Sequence, residues 1–475
     1  MRQLLLCLLV VSGLGYFVAR GGNFGPAAPA GPKLLYGSER SEGVLERCGA
    51  PTQDRVPVLL SMTYSPSLEP WLKEATVSFG RLCPNIQVRL TAQDDLSAAQ
   101  AIAEEKQAPT LWATSSDTAL RLADHLFRQR KAGRPLYAAD QRTALLTTPL
   151  VWVMPAPVLR ALKAIAAPAP LPRGARAGQA ALAIQADRPS RGSQGAWLDT
   201  ACALVPREAS APQEVSPADL QPGRWVDWYT TSRRAVKRPR VVDPLLEELA
   251  RWGNVKFGQP HPASSALGLE VMYLQAAEFL LDAPERAAAD PAVFTRALKQ
   301  QRGALQDLLQ RCKSGVPELS TYNLWLVNGF FSMGVTRYEV IVATEQFAVE
   351  YMTTKPGAEE LRLVYPATAL WSDHPVVELH AFDLKEADAR ARHDAAGRWV
   401  QYLLSDAVQR SGIELGFRPR RPGLSITDHK VGQNPFLRLV GRGVELERTR
   451  REPPPVPVEA MAELTKLWSE ATGHY

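Results

Sequence analysis

The chain has 475 residues, which is too long for one small hydrophobic core and predicts two or more lobes. Apolar residues make up 45% and charged residues 22%, a globular composition that excludes wholesale disorder. The net charge of +6 is spread over a long chain. It mildly favours an anionic partner and does not indicate nucleic-acid binding.

The amino terminus has the pattern of a targeting segment. Arg2 is followed by uncharged residues 4–19, a run between the length of a signal-peptide core and that of a full membrane span. Arg20 interrupts the place where a cleavage site would fall. We predict that residues 1–20 are a signal peptide or, slightly favoured, a membrane anchor, and that residues 21–55 are a linker. The rest of the chain is then extracytoplasmic, in the periplasm or at the cell surface.

Five cysteines are present, and Cys7 lies inside the apolar segment without a lipobox before it. In an exported chain the other four allow two disulfides with three connectivities. Unpaired buried thiols are an equally favoured alternative. The four are Cys48, Cys83, Cys202 and Cys312.

The first regular region alternates strands and helices. Residues 56–61 and 86–90 read as strands around a helix that contains Leu68, Leu72, Ala75 and Phe79. The pattern continues with helix 96–106, strand 109–113, helix 118–128 and strand 145–154. This alternation is typical of a parallel sheet.

The middle of the chain is less regular. Residues 161–222 read as an irregular insertion, and the five basic residues within 233–240 read as a solvated loop rather than a binding patch. Regular structure resumes with a helix that Ser264 or Ser265 would cap. We then expect strand 339–343, helix 344–351, strands 361–364 and 376–382, a long amphipathic helix 387–410 closed by Gly412, and a last helix around Leu464 and Trp468.

Four stretches resemble one protein family. They are the opening strand with the later Cys83-Pro84-Asn85-Ile86 turn, the strand 109–117 that ends in serines, the helix start His261-Pro262-Ala263-Ser264-Ser265, and the closing Gly416-Phe417-Arg418-Pro419. Together, over residues 56–160 and 223–470, they resemble bacterial extracellular solute-binding proteins of the type 2 periplasmic-binding fold. The nearest branch is that of the molybdate- and sulfate-type proteins.

The resemblance implies an α/β fold of two lobes with mixed sheets and two crossover hinges, near residues 149–154 and 374–380, behind the apolar amino-terminal helix. Residues 56–150 would form the first part of lobe 1. Residues 151–375, with the insertion 161–222, would form lobe 2. Residues 376–475 would return to lobe 1 and end in a tail.

The resemblance also implies a cleft lined by serine-bearing helix starts. Helix N-termini offer free N–H groups and partial positive charge to a polar solute or an anion. Each serine alone could equally be a plain helix cap. The candidate ligand-binding residues are Ser61, Thr63, Tyr64, Ser115, Ser116, Ser264, Ser265, Gly268 and, as a further wall, Tyr338.

The expected function is capture of a small polar or anionic solute, such as an oxyanion, by hinge closure for an ABC-type permease, without cofactor or metal. A membrane-anchored envelope interaction or sensory module is the alternative. An enzyme is disfavoured because no His-Glu-x-x-His, Gly-x-Ser-x-Gly, phosphate-loop or Cys-x-x-Cys motif is present. His374 and His380 are spaced too loosely to favour a metal site.

Overall fold

The computed structural model describes residues 48, 57–156, 158–159, 257–281, 291–312, 329–330, 332, 337–355, 358–366, 370–379, 386–428, 433–447 and 456–473. The predictions for residues 1–20, the linker apart from Cys48, the insertion 161–222, the basic loop 233–240 and His380 lie outside these ranges.

The described elements follow in chain order. The strands are β1 Val58–Tyr64, β2 Ile86–Ala92, β3 Leu111–Ala113, β4 Thr143–Ala144, β5 Leu146–Pro155, β6 Phe257–Gly258, β7 Val340–Thr344, β8 Leu361–Val364, β9 Trp371–Ser372, β10 Pro375–Glu378 and β11 Arg418–Pro419. The helices are α1 Glu69–Leu82, α2 Asp95–Ala103, α3 Asp117–Arg130, α4 Ala266–Leu281, α5 Pro291–Gln300, α6 Arg302–Cys312, α7 Glu345–Thr354, α8 Glu386–Leu403, α9 Asp406–Glu414, α10 Pro435–Leu439 and α11 Val458–Thr472.

The strands form two separate mixed sheets. The first has the order β2-β1-β3-β10-β4, with β1 parallel to β2 and β3 and with β10 antiparallel to both of its neighbours. The second has the order β11-β5-β7-β6, and β8 and β9 also pair with β5. The predicted α/β fold with two mixed sheets is therefore confirmed.

Strand β5 organises the core of the second sheet. Its side chains alternate between two apolar clusters, as a strand with both faces covered requires. Leu150, Trp152 and Met154 pack with α4, α5, α6 and α11 on one face. Val151 and Val153 pack with α7 and α10 on the other. We call this sheet with those six helices the second lobe.

The first sheet is covered in the same way. One apolar cluster joins β1 to α1 and α8 through Trp71, Phe79 and Trp399. The other joins β3 to α2 and α3 through Trp112 and Phe127. We call this sheet with α1, α2, α3, α8 and α9 the first lobe.

The chain crosses between the sheets at adjacent places. It leaves the first sheet after β4 and enters the second at β5, through the fully buried Leu145. It returns between β9 and β10 through Asp373 and His374, and the Leu145 N–H donates to the His374 carbonyl at 3.2 Å. The two crossings are thus hydrogen-bonded to each other. The first lies at Leu145, before the predicted span 149–154, and the second lies at residues 373–374, at the start of the predicted span 374–380.

The carboxyl-terminal part departs from the expected return to lobe 1. After α9 the chain passes to the second lobe again, because Arg418 and Pro419 pair with the first residues of β5. Helix α10 then packs on α7, and α11 packs on α4 and α6. The return to the first lobe therefore ends at Phe417. Of the described residues that follow, those of α10 and α11 cover apolar surface of the second lobe.

The predicted helix 387–410 is two helices. Ser405 has an extended backbone between α8 and α9, which reorients the chain. This turn places the fully buried Gln409 so that its amide donates to the Leu145 and Leu403 carbonyls, both at 3.0 Å. Gly412 lies inside α9 rather than at its end, and Gly416, with a φ of 87°, follows the helix instead.

One disulfide is present among the described cysteines. Cys48 and Cys83 are bonded with a Cα–Cα distance of 5.3 Å, within the usual range. The bond ties the segment before β1 to the residue that ends α1, and both cysteines are buried. It closes a loop across a sequence separation of 35.

Replacing both bonded cysteines (Cys48→Ser with Cys83→Ser) is expected to lower the free energy of unfolding by about 3 kcal/mol, because the open loop gains entropy in the unfolded chain. Urea unfolding followed by circular dichroism measures the loss. Dithiothreitol should destabilise the natural protein by a similar amount and leave the double variant unchanged. Equal urea midpoints for the oxidised natural protein and the variant would contradict the expectation.

Candidate functional site

The first predicted corner was expected at the end of β1, but only some of its residues lie at the end of the strand. Ser61 lies in the middle of the strand, and its hydroxyl accepts a hydrogen bond from the Thr110 N–H at 3.0 Å. Thr63 and Tyr64 are buried, and Tyr64 belongs to the apolar core, where burial raises its pKa to about 12. The residue that ends the strand is Ser65, whose N–H donates to the Ala113 carbonyl at 2.8 Å.

The second corner lies where β3 ends and α3 begins. The polar groups of Ser115 are all engaged. Its N–H donates to the two Asp95 carboxylate oxygens at 3.3 and 3.2 Å, and its hydroxyl also donates to Asp95. Its carbonyl accepts from the Ser372 hydroxyl and from the His374 N–H. Ser115 therefore connects this corner to the crossing between β9 and β10.

Asp95 is a buried carboxyl group at the first position of α2. Burial raises its pKa to about 6, while the hydrogen bonds from Ser115 and the nearby Ser65 hydroxyl act in the opposite direction. A helix N-terminus favours a carboxylate, which helps to explain why this sequence position tolerates an acid inside the protein. The corner therefore contains a partly protonated acid near neutral pH.

The third corner belongs to the second lobe, at the start of α4. Ser265 acts as a cap, since its hydroxyl accepts from the Gly268 N–H at 3.2 Å. The N–H groups of Ser264 and Ser265 donate to the His261 carbonyl. A Cβ atom on Gly268 would lie 2.5 Å from the Pro260 carbonyl oxygen, so only glycine allows α4 to approach this turn.

The second and third corners meet across the two lobes. The Thr118 hydroxyl on α3 donates to the Glu270 carboxyl on α4 at 2.5 Å, and both residues are buried. Burial raises the pKa of Glu270 to about 7; Ser116 and Thr118 lower it, and Asp95 and Asp117 raise it. The structure thus brings Ser116, Asp95 and Glu270 to one place between the lobes.

Tyr338 lies elsewhere. It is 1% exposed in the apolar cluster on the face of the second sheet opposite α4, with the Arg337 guanidinium 5.7 Å from its ring centre. The side chain of Tyr338 is therefore part of the core of the second lobe. The structure does not bring it to the serine corners.

The crossing between β9 and β10 contains a strained residue. His374 has a φ of 43°, a left-handed conformation that side chains other than glycine rarely adopt. It is fully buried, and burial lowers its pKa to about 4. The backbone N–H of His374 donates to the Ser115 carbonyl at 3.3 Å, so the crossing segment is in direct contact with the second corner.

Sequence reasoning missed Asp95, Thr118 and Glu270. A signal for Glu270 was available, because it is an acid inside an otherwise apolar stretch of α4 that reads Ala-Leu-Gly-Leu-Glu-Val-Met-Tyr-Leu. A buried acid in such a stretch needs a polar partner or a raised pKa. Asp95 carried no comparable signal, since acids at helix starts are ordinary.

The described residues include no group of three His, Cys, Asp or Glu side chains that could hold a metal ion. Within the same ranges, each helix is too short or too polar to cross a membrane.

Comparisons with known proteins give structural similarity only. No family model and no curated protein matches the chain. A substrate-binding protein of an ABC transporter from Agrobacterium tumefaciens is similar at 12% identity and a TM-score of 0.46, over 88% of this chain and 96% of that one. A periplasmic thiamin binding protein is similar at 11% identity and a TM-score of 0.49, over 89% and 99%.

A sulfate-binding protein from Mycobacterium tuberculosis is also similar, at 13% identity and a TM-score of 0.40, over 77% of this chain and 88% of that one. Identities this low do not carry a ligand from one protein to another.

Proposed function

We propose that this protein is an extracytoplasmic solute-binding protein that captures a small polar solute between its two lobes by hinge closure. The observation that carries the proposal is the meeting of two polar corners from different lobes, at Thr118 and Glu270, beside a pair of hydrogen-bonded crossings. A solute that contacts both corners stabilises the closed arrangement only, so its binding shifts the open–closed equilibrium.

We also propose where the protein acts and which partner receives the solute. The Cys48–Cys83 disulfide supports an oxidising compartment outside the cytoplasm. The proposed partner is an ABC-type permease that receives the solute from the closed form, and residues 1–20 are the proposed membrane anchor or signal peptide. No step of this function needs a nucleophile or a metal.

Of the predicted site residues, those at the two corners that meet are kept as the proposed site, and the two tyrosines are not. Ser116, Ser264, Ser265 and Gly268 lie at the two corners that meet or beside them. The burial of Tyr64 and Tyr338 in apolar clusters supports a structural role for both. An oxyanion was the finer expectation from the sequence, and the two buried acids Asp95 and Glu270 weigh against it, because carboxylates repel anions.

A combined screen tests the function. Purified protein is heated with molybdate, sulfate, phosphate, sugars, amino acids and amines, and each compound that raises the melting temperature is then studied by small-angle X-ray scattering. We expect at least one compound to raise the melting temperature by several degrees, because a ligand of the native state stabilises it by mass action. The same compound should reduce the radius of gyration.

Lysozyme of the same concentration controls for effects of a compound on scattering. A compound that raises the melting temperature without compaction, or a full panel with no shift, would contradict the proposed capture by closure.

A further inference from the structure

The space between the lobes has an acidic character. Asp95 on the first lobe and Glu270 on the second are both buried, and Asp95 raises the pKa of Glu270 by charge repulsion. The other charged groups that act on this pair are Asp94 and Asp117. All four are acids, and neither Asp95 nor Glu270 forms an ion pair with a described residue. The nearest cations act on their neighbours: Arg142 is paired with Asp117 at 2.6 Å, and the charge of Arg121 on α3 acts on Tyr273, one turn of α4 after Glu270.

A free polar group points to the same place. The Ser116 hydroxyl is 3% exposed and lies close enough to Glu270 to lower its pKa. Its geometry does not meet that of a hydrogen bond, and the oxygen has no other partner among the described residues. Native proteins seldom leave a buried hydroxyl unpaired. Ser116 therefore has unused hydrogen-bonding capacity beside two carboxyls.

We infer that the solute captured here carries a positively charged ammonium group, which lies between the carboxylates of Asp95 and Glu270 and donates a hydrogen bond to Ser116. This inference rests on the proposed function and specifies the class of its ligand. Each lobe supplies one carboxylate, so the ammonium group is held from both sides only when the lobes are closed.

The chemistry of the corner agrees with this ligand. Buried carboxylates without a counter-charge take up protons, because burial disfavours their charged form. An ammonium group supplies the missing charge and releases those protons. Its N–H groups find acceptors in both carboxylates and in Ser116, since an ammonium ion donates three hydrogen bonds and accepts none.

A small primary amine is favoured over a metal ion by the donor set. Two carboxylates on separate lobes and one free hydroxyl are fewer oxygens than the six to eight that calcium takes. The hydroxyls of Ser115 and Thr118 already donate to the two carboxyls, so their protons point at the acids. These hydroxyls hold the two carboxyls in place, and the carboxyl oxygens can accept further hydrogen bonds from an ammonium group.

Isothermal titration calorimetry with putrescine and ethanolamine tests the inference, with 1,4-butanediol and ethylene glycol as neutral matches and with Mg²⁺ and Ca²⁺ as metal probes. We expect at least one amine to bind and its neutral match to show at least tenfold weaker binding. At pH 7, titrations in phosphate and in HEPES buffers should give different heats, because binding releases protons from the two carboxyls.

Asp95→Asn and Glu270→Gln keep the shapes of the side chains, and each is expected to weaken amine binding at least tenfold and to reduce proton release. Glu360→Gln, on an exposed acid of the second lobe, is the matched control and should bind normally. Circular dichroism establishes that the variants are folded. If a variant does not fold, the inference is tested by the natural protein alone, from the difference between its binding heats in the two buffers.

Binding of neither amine overturns the inference, and so does equal binding of an amine and its neutral match, or binding of the metals alone. If sugars or anions instead bind with compaction, the ammonium inference fails while capture by closure stands. If nothing in either panel binds, both fail.

Discussion

Replacing Arg418 with Gln is expected to lower the free energy of unfolding by about 3–5 kcal/mol, because it leaves a buried carboxylate without its charge partner. The Arg418 guanidinium holds Glu345 through two parallel bonds of 2.6 and 2.7 Å. The Glu345 side chain is fully buried, and that of Arg418 is 9% exposed. The geometry is the paired arrangement that gives arginine–carboxylate contacts their strength.

The rest of this network explains why glutamine cannot substitute. The Tyr365 hydroxyl also donates to Glu345, and Arg418 donates further to the Leu446 and Glu445 carbonyls at 3.2 and 2.5 Å. The guanidinium lies 5.8 Å from the centre of the Trp371 ring and 5.5 Å from that of the Phe436 ring. These contacts join β11, α7 and the carboxyl-terminal segment, so their loss loosens the part of the chain that covers the second lobe.

An exposed pair provides the control. Arg302 binds Glu463 and Glu470, both at 2.6 Å, and its side chain is 33% exposed. Arg302→Gln should cost less than about 1 kcal/mol, since water screens this pair. Urea unfolding of the two variants measures the difference. Similar losses for both would show that the buried network contributes no more than a surface contact.

The second expected result concerns pH: the natural protein loses stability between pH 5 and pH 8 relative to a variant that carries Asp95→Asn and Glu270→Gln. In the folded protein the pKa values of Asp95 and Glu270 are raised to about 6 and about 7. The folded state therefore binds more protons than the unfolded state in this window, so stability falls as pH rises through those values. Shifts of about two pKa units correspond to roughly 3 kcal/mol for each group.

His374 acts in the opposite direction. Burial lowers the pKa of His374 to about 4, so the unfolded chain binds a proton here more readily than the folded protein. Its contribution to the free energy of unfolding is present above the ordinary histidine pKa of about 6.5 and is lost as the pH falls towards 4. The residue is the same in the natural protein and in the double variant. The difference in stability between the two proteins therefore isolates the carboxyls.

Urea midpoints of both proteins at half-unit steps from pH 5 to pH 8 measure this effect. We expect the natural protein to be the less stable of the two by several kcal/mol at pH 8, and the gap to narrow towards pH 5. A gap that stays constant, or that widens as the pH falls, would contradict the raised pKa values.

Much of the fold could be predicted from the sequence because its elements have clear periodicity. Strand β8 occupies the predicted residues 361–364, and β5 lies within one residue of its predicted bounds. Apolar alternation and Ser- or Pro-marked helix starts depend on local residues alone, so they are visible without coordinates. The helix starts at Asp117 and Ala266, each next to a predicted serine pair, follow from the same signals.

The remainder depends on contacts between distant residues. The break at Ser405 accompanies a hydrogen bond from Gln409 to Leu145, which is 264 residues away. The passage of the chain to the second lobe at Arg418 is fixed by its pair with Glu345, which is 73 residues away. The acids of the candidate site were hidden for the same reason, since the burial of Asp95 and its bond to Ser115 are not local properties.

Interlobe distances measured by double electron–electron resonance test the central claim of closure most directly. Spin labels replace the exposed Lys106 of the first lobe and Lys299 of the second, in a chain whose Cys7, Cys202 and Cys312 are changed to Ser. Thr118→Val removes the bond between the lobes and keeps the size of the side chain. We predict a longer-distance population that is larger in this variant than in the natural protein. A single narrow distribution, identical in both proteins, would contradict the account.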